Sequence, residues 1–208
     1  NYNHMKILRT VYDWVLNLST KKIGPTALFF IAMSESVFFP IPPDVLLIAL
    51  AIGFRKRALF FGAVCFAGSI IGAIIGYIIG YNLWWESIDV YSQFAHFFYN
   101  HIPGFTIDKF VKIQQLYEQY NFYIIFTAGF TPLPYKIFTL TAGAYAINFP
   151  MFMIASMVSR ATRFFLIAGL IWKYGKPIKD FIDKYFNILA IVFTILLFGS
   201  FYLLKYVL

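Results

Sequence analysis

From residue 23 onward the chain alternates apolar runs with short polar interruptions, and where those interruptions fall decides which runs can cross a bilayer. Ahead of them, Ile7, Leu8, Val11, Trp14, Val15 and Leu18 recur at helical spacing with Lys6, Arg9, Asp13 and Asn17 between them. That pattern predicts an amphipathic helix at a membrane surface rather than a span. Ile23 to Phe54 is apolar but interrupted by Pro40-Ile41-Pro42-Pro43-Asp44. Prolines so closely set cannot lie inside a continuous helix, because each lacks an N–H and its ring collides with the preceding turn. Each side holds about half the ~20 residues a span needs, so the segment predicts a hairpin that enters the membrane and returns on the same side. Ala58 to Trp84 is long enough to cross outright. Phe122 to Ile147 repeats the broken pattern around Thr131-Pro132-Leu133-Pro134-Tyr135-Lys136. Pro150 to Trp172 then crosses, Lys173 to Lys184 forms a basic loop, and Phe186 to Val207 crosses last. Between the halves, Glu86 to Glu118 is more polar and rich in aromatic residues, an external loop with interfacial helices.

The expected fold is an all-α integral membrane protein with two re-entrant helical hairpins and transmembrane helices. Residues 1–22 form the surface segment and 23–185 the membrane domain, with hairpins at about 23–54 and 122–147 and spans at about 58–84 and 150–172. Residues 186–208 form the last transmembrane helix. Placing Lys21-Lys22 and Arg55-Lys56-Arg57 in the cytoplasm follows the positive-inside rule, leaves the acidic loop outside and returns Lys173, Lys176, Lys179 and Lys184 inside. Lys205 falls on the outside. The two halves then enter from opposite faces, an inverted-topology repeat of the kind found in secondary transporters.

Composition agrees with this reading. The chain of 208 residues is 61% apolar and 12% charged and holds 26 Phe, more than a soluble domain of this size can bury. Its net charge of +8 raises nucleic acid as a partner, but the basic residues flank apolar runs instead of forming one solvated face, so none is expected. The single cysteine, Cys65, excludes a disulfide framework or a multi-cysteine metal site, and no cofactor is expected. Asn1 to His4 read as an expression scar ahead of Met5, with no cleavable signal peptide evident. A homo-oligomer is compatible with the sequence.

Within the first span, Gly68, Gly72, Gly76 and Gly80 recur every fourth residue and form one bare stripe. Close approach of another helix is the simpler reading; a lipid path along the stripe is the alternative.

The chemistry must come from charges inside apolar segments. Glu35 lies in the first short helix and Asp44 just past its proline break. An ionised carboxylate at hydrocarbon depth costs about 2.5–3.5 kcal/mol on insertion scales, so it must be paired, hydrated or protonated. Proton coupling is one role for the two acids. Capping of the second short helix by Asp44 and an interfacial place for Glu35 are the others. Lys136 follows the second break, and Arg160 and Arg163 lie on one face of the Pro150 to Trp172 helix, too deep for easy snorkelling. The arginine fork suits phosphate oxygens, while an internal ion pair with Glu35 or Asp44 is the competing role. The two are compatible if phosphate competes with the carboxylates.

The run Glu35-Ser36-Val37-Phe38-Phe39-Pro40-Ile41-Pro42-Pro43-Asp44 resembles the acidic, proline-rich, acidic signature of the DedA (VTT-domain) membrane proteins. Gly72-Ala73-Ile74-Ile75-Gly76-Tyr77 resembles the family's following glycine helix. Phe130-Thr131-Pro132 with Lys136-Ile137-Phe138 is similar to its Arg-Phe-x-Pro-x-x-Arg segment, and Thr141-Ala142-Gly143-Ala144-Tyr145 to the small-residue turn after it. The likeness covers roughly 24–173 and is nearest to the YqaA-like branch. In two places the chain departs from the pattern: the first family arginine aligns with Gly129, and the second with Lys136 after a one-residue shift, so Arg160 and Arg163 stand in as the basic pair. The resemblance implies transport of undecaprenyl phosphate or a phospholipid across a bacterial cytoplasmic (inner) membrane, coupled to protons. The acids of hairpin one (Glu35, Asp44) would carry protons and Lys136, Arg160 and Arg163 the lipid phosphate, with Pro40, Pro42, Pro43, Pro132 and Pro134 forming the breaks.

Two other classes compete. An intramembrane lipid-phosphate enzyme would also combine acids with arginines, but His96 and His101 fall in the external loop and no Ser/His pair is apparent. A structural, membrane-homeostasis protein would need no site at all.

Overall fold

The computed structural model of the protein describes residues 23–39, 42–101, 106–131 and 133–175. The expected surface helix at 5–19, the last span at 186–207, Pro40 and Pro132 lie outside the described residues.

Helix α1 (Gly24–Glu35) begins at Pro25, whose fixed φ suits a first helical turn. It ends where the Ser34 carbonyl collects the N–H groups of Val37, Phe38 and Phe39, a tight knot that stops the helix before the prolines. Helix α2 (Asp44–Gly53) starts immediately after Pro43. A single 3₁₀ turn, Arg55–Arg57, leads into α3 (Ala58–Trp84), whose 27 residues extend about 40 Å, longer than a hydrocarbon core of ~30 Å. A short antiparallel hairpin follows, β1 (Trp85–Ser87) and β2 (Val90–Tyr91), then α4 (Gln93–His101) and α5 (Ile107–Gln119). The broken pattern returns as α6 (Asn121–Phe130) and α7 (Tyr135–Ala144). Last, α8 (Phe149–Tyr174) opens with the Asn148 side chain accepting the Met151 N–H at 2.9 Å.

The described residues are thus almost entirely helical, and both proline interruptions separate short helices as the sequence predicts. The turn with α3, at a mean hydropathy of 2.3, and α8, at 1.5, are long and apolar enough to cross a membrane. The segment between the halves, expected to hold helices, contains α4 and α5 and also the β-hairpin, which the sequence does not announce.

Helix α3 is the scaffold on which α1, α7 and α8 pack, α6 packs on α8, and α2 lies against both α3 and α8. Each long helix therefore packs against the pre-break helix of its own half and the post-break helix of the other. The glycine stripe makes this possible. A side chain at Gly68 would run into the Phe29 carbonyl, and one at Gly72 into Met33 and Ser36, all of which lie on α1 or just past its end. Gly76 faces the Thr139 side chain of α7 and the Ser36 carbonyl, and Gly80 the Leu140 carbonyl of α7. The stripe is covered by α1 along its first half and by α7 along its second.

Side chains fill the interior in two apolar clusters, which the charged groups adjoin. Leu28, Leu46, Leu47, Leu50, Phe61, Phe164 and Ile171 bring together α1, α2, α3 and α8. Ile125, Tyr135, Ala142, Ile147 and Phe152 bring together α6, α7 and α8. A third, aromatic cluster anchors the hairpin and α4: Trp84 stacks on Phe110 at 5.2 Å, and the Trp85 indole N–H donates to the Ala144 carbonyl at 2.9 Å. That bond ties the segment between the two halves to the end of α7.

Candidate functional site

Helix α8 is amphipathic in an unusual sense, because its one strongly polar stripe faces inward. Ser156, Ser159, Arg160 and Arg163 are all buried, and the two arginines reach across to the two halves of the first broken pair. The Arg160 guanidinium lies over the Tyr135 ring, 3.8 Å from its centroid, with Phe164 at 5.5 Å. Its Nη2 donates to Glu35 Oε2 at 3.1 Å. Arg160 Nε, fully buried, has no hydrogen-bond partner among the described residues. The aromatic ring therefore supplies part of the environment that keeps this charge inside the protein.

Arg163 is held quite differently. Its Nε donates to Asp44 Oδ1 at 3.3 Å and its Nη2 to Asp44 Oδ2, a fork gripping both carboxylate oxygens. Its Nη1 donates to the carbonyls of Phe130, at 3.4 Å, and Thr131. Those carbonyls end α6, where the helix has no N–H of its own to offer them. Arg163 thus ties the start of α2 to the end of α6. Asp44 sits in the first turn of α2 but makes no side-chain cap; the capping alternative gives way because its carboxylate turns to the arginine.

Lys136, at the start of α7, donates through Nζ to the Phe38 carbonyl at 3.2 Å and lies on the exposed side. It has no carboxylate partner among the described residues. Nearby, the Thr139 hydroxyl donates to the Ser36 carbonyl at 2.7 Å, and the Ser36 and Ser69 hydroxyls meet at 3.1 Å. The segment after α1 is thereby strapped to α7 on one side and α3 on the other.

All five charged residues singled out in the sequence line one cavity of about 180 Å³. Among the described residues its remaining wall is Phe39, Pro42, Pro43, Leu133 and Pro134, so both proline breaks contribute, and three cations face two carboxylates there. With both acids ionised and paired to the arginines, the positive charge left over is that of Lys136.

Tyr135, Phe39 and Leu133 were not foreseen. Tyr135 is fully buried and donates its hydroxyl to Ser156 at 2.6 Å; nothing in the sequence links it to Arg160, 25 positions on, except its place beside Lys136. Gly129, where the resemblance aligns a family arginine, packs on Ser159 so closely that even a Cβ would collide with the Ser159 side chain.

A family profile for the VTT domain matches residues 41–173, spanning both breaks, α3 and α8. An uncharacterized protein of Haemophilus influenzae is 34% identical over 204 residues, covering 97% of this chain and all of its own length. A second, from Histophilus somni, is also 34% identical, over 83% of this chain and 85% of its own. An uncharacterized protein of the archaeon Methanocaldococcus jannaschii is 22% identical over 73% of this chain and 85% of its own length. No solved structure matches the chain significantly. With the profile spanning more than half of the residues and a relative matched from end to end, the chain belongs to the VTT-domain (DedA) family and is an integral membrane protein.

Proposed function

We propose that the protein is a lipid transporter, flippase- or scramblase-like, that moves a phosphate-bearing lipid such as undecaprenyl phosphate or a phospholipid across a bacterial cytoplasmic membrane in a proton-coupled cycle. The observation that carries this reading is the single cavity in which Glu35, Asp44, Lys136, Arg160 and Arg163 converge at the two proline breaks. A surplus positive charge among buried ion pairs suits a ligand that is itself anionic, and Lys136 at the exposed side is the group such a phosphate meets first. Deeper binding requires Arg160, which Glu35 holds by one contact. Protonation of Glu35 releases Arg160 for a phosphate oxygen, while Asp44 keeps Arg163 in place. Loss of that proton restores the carboxylate, which takes Arg160 back and ejects the phosphate, because carboxylate and phosphate compete for the same donor. No cofactor enters the cycle.

In this reading the two broken pairs are re-entrant hairpins, and the chain is an inverted repeat of the YqaA-like type. The reciprocal packing of the two long helices, each on its own pre-break helix and on the other half's post-break helix, supports that symmetry. Cysteines placed near Lys22 and Arg55 label from the same side of the membrane if the first hairpin is re-entrant.

The deciding experiment is lipid translocation in proteoliposomes across a pH series. Wild type moves a labelled polyprenyl phosphate or phospholipid with a proton dependence that Glu35→Gln abolishes in a folded protein. Transport with unchanged pH dependence in that variant removes Glu35 from the cycle, and no translocation by wild type removes the transporter reading. Phosphate release from a polyprenyl pyrophosphate in the same vesicles would instead establish an enzyme.

A further inference from the structure

Next to the charged cavity the structure holds a larger hollow of quite different character. It measures about 520 Å³ and runs between α1 and α3, walled by Phe30, Met33 and Val37 on one side and Ile75 and Ile79 on the other. Ser34 also borders it, but its hydroxyl is turned back onto the Ile31 carbonyl at 3.1 Å, so it offers the hollow no free donor. Two observations tie this groove to the cavity. Phe39 lines both. Phe38, 70% exposed at the groove's end, gives its backbone carbonyl to Lys136 Nζ, which places at the groove wall a cation with no carboxylate partner among the described residues.

We propose that this groove is the seat of the lipid's hydrocarbon chain: one long alkyl or polyprenyl tail lies between α1 and α3 while the phosphate to which it is attached enters the cavity past Phe38 and Phe39. This rests on the phosphate-lipid reading above and adds to it the chemical form of the ligand, an anion directly joined to a single apolar chain. The charges decide between occupants. A helix of another protein, or a second copy of this one, would cover the apolar wall but bring nothing to neutralise Lys136 at its end. A phosphate-bearing lipid satisfies both surfaces at once, and the strapping of residues 36–39 by Lys136 and Thr139 fixes the corner around which head and tail divide. The groove selects for tail length and the cavity for head charge.

The test uses the full chain in detergent with alkyl phosphates of short and long chain, the long one carrying a photoreactive diazirine at its tail end, and the matching long-chain alcohol as control. Ile75→Trp and Ile79→Trp fill the groove from positions that are only half-buried in α3. Each weakens long-chain phosphate binding about tenfold, the apolar contact of a few methylenes, and leaves short-chain phosphate binding unchanged. The diazirine labels α1 and α3 peptides flanking the groove, more with the phosphate than with the alcohol. Should a groove-filling variant misfold, the labelling pattern of wild type decides alone. Lys136-dependent binding with labels elsewhere, or with no loss in the Trp variants, overturns the groove and leaves the phosphate site standing. A Trp variant that changes oligomeric state without changing long-chain binding assigns the face to a second copy and overturns the proposal. Equal binding of phosphate and alcohol brings down the phosphate reading and the proposal with it.

Discussion

The two proline breaks do the same mechanical work with opposite chemistry. After α1 the chain supplies carboxylates on either side of its break, Glu35 and Asp44. Around the second break it supplies no acid, only the Phe130 and Thr131 carbonyls and Lys136. Helix α8 lies between them and its two arginines answer both. The two resulting ion pairs are unequal. Arg163 spends its fork on both oxygens of Asp44 and a further nitrogen on the carbonyls of α6, whereas Arg160 makes one contact to Glu35 and leaves Nε without a hydrogen-bond partner among the described residues. The difference teaches that similar residues in one cavity can divide the labour. Asp44 and Arg163 form a strut joining two helix ends, and Glu35 and Arg160 form the pair that can open with least rearrangement.

That division is tested most severely by Asp44→Asn. It leaves Arg163 buried against a neutral amide, and the expected loss is about 3–5 kcal/mol of stability, the cost of breaking a buried pair from one side, read as a lowered unfolding midpoint in detergent. Glu35→Gln is the paired measurement. Because Arg160 keeps its place over Tyr135, the loss is about 1.5–3 kcal/mol, that of one charge-assisted hydrogen bond. Equal losses in the two variants would abolish the distinction between strut and opening pair.

A substitution on the scaffold separates site effects from packing. Gly80→Ala drives a methyl into the Leu140 backbone carbonyl, which cannot rotate away, and is expected to destabilise by about 1–3 kcal/mol. Gly169→Ala is its control on the other long helix: open space surrounds that position, and the expected effect is a gain of about 0.5–1 kcal/mol from helix propensity. Matching melting curves for the two would refute the claim that the stripe is there for backbone contact.

A smaller effect sharpens the account of Arg160. Tyr135→Phe removes the bond to the Ser156 hydroxyl but keeps the ring beneath the guanidinium, so the loss is about 1 kcal/mol, and Tyr135→Leu loses roughly another 0.5–2 kcal/mol with the cation–π contact. If Phe and Leu behave alike in the unfolding midpoint, the ring does not support the buried charge.

Much of the architecture was legible because it depends on short-range covalent constraints. Prolines at 42, 43 and 134 interrupt helices wherever they occur, so the presence of short helices on either side of each break could be read from the chain, though not their limits; observed and expected ends of α3 coincide at Ala58 and Trp84, and those of α8 differ by one or two residues. The spacing of four between glycines likewise defines one face of α3 whatever packs there. The β-hairpin at 85–91 was not legible, because Trp85 and Tyr91 are held by each other and by Phe110, Tyr99 and Ala144, contacts far stronger than any local strand signal in so short a stretch.

The sequence by itself determined which residues carry charge in an apolar setting, that α1 and α2 must be separate helices, and that Arg160 and Arg163 share a face of α8, since three residues bring a helix nearly full turn. It left open whether those arginines answer to acids or to a ligand, and which acid belongs to which. Only the tertiary structure decided that Glu35 meets Arg160 and Asp44 meets Arg163, across 125 and 119 positions of chain, and that the glycine stripe is covered by two short helices rather than lipid. The physical reason is that helix periodicity is fixed by neighbours three or four residues apart, while the pairing of buried charges is fixed by which helix faces come together when the apolar surfaces are packed.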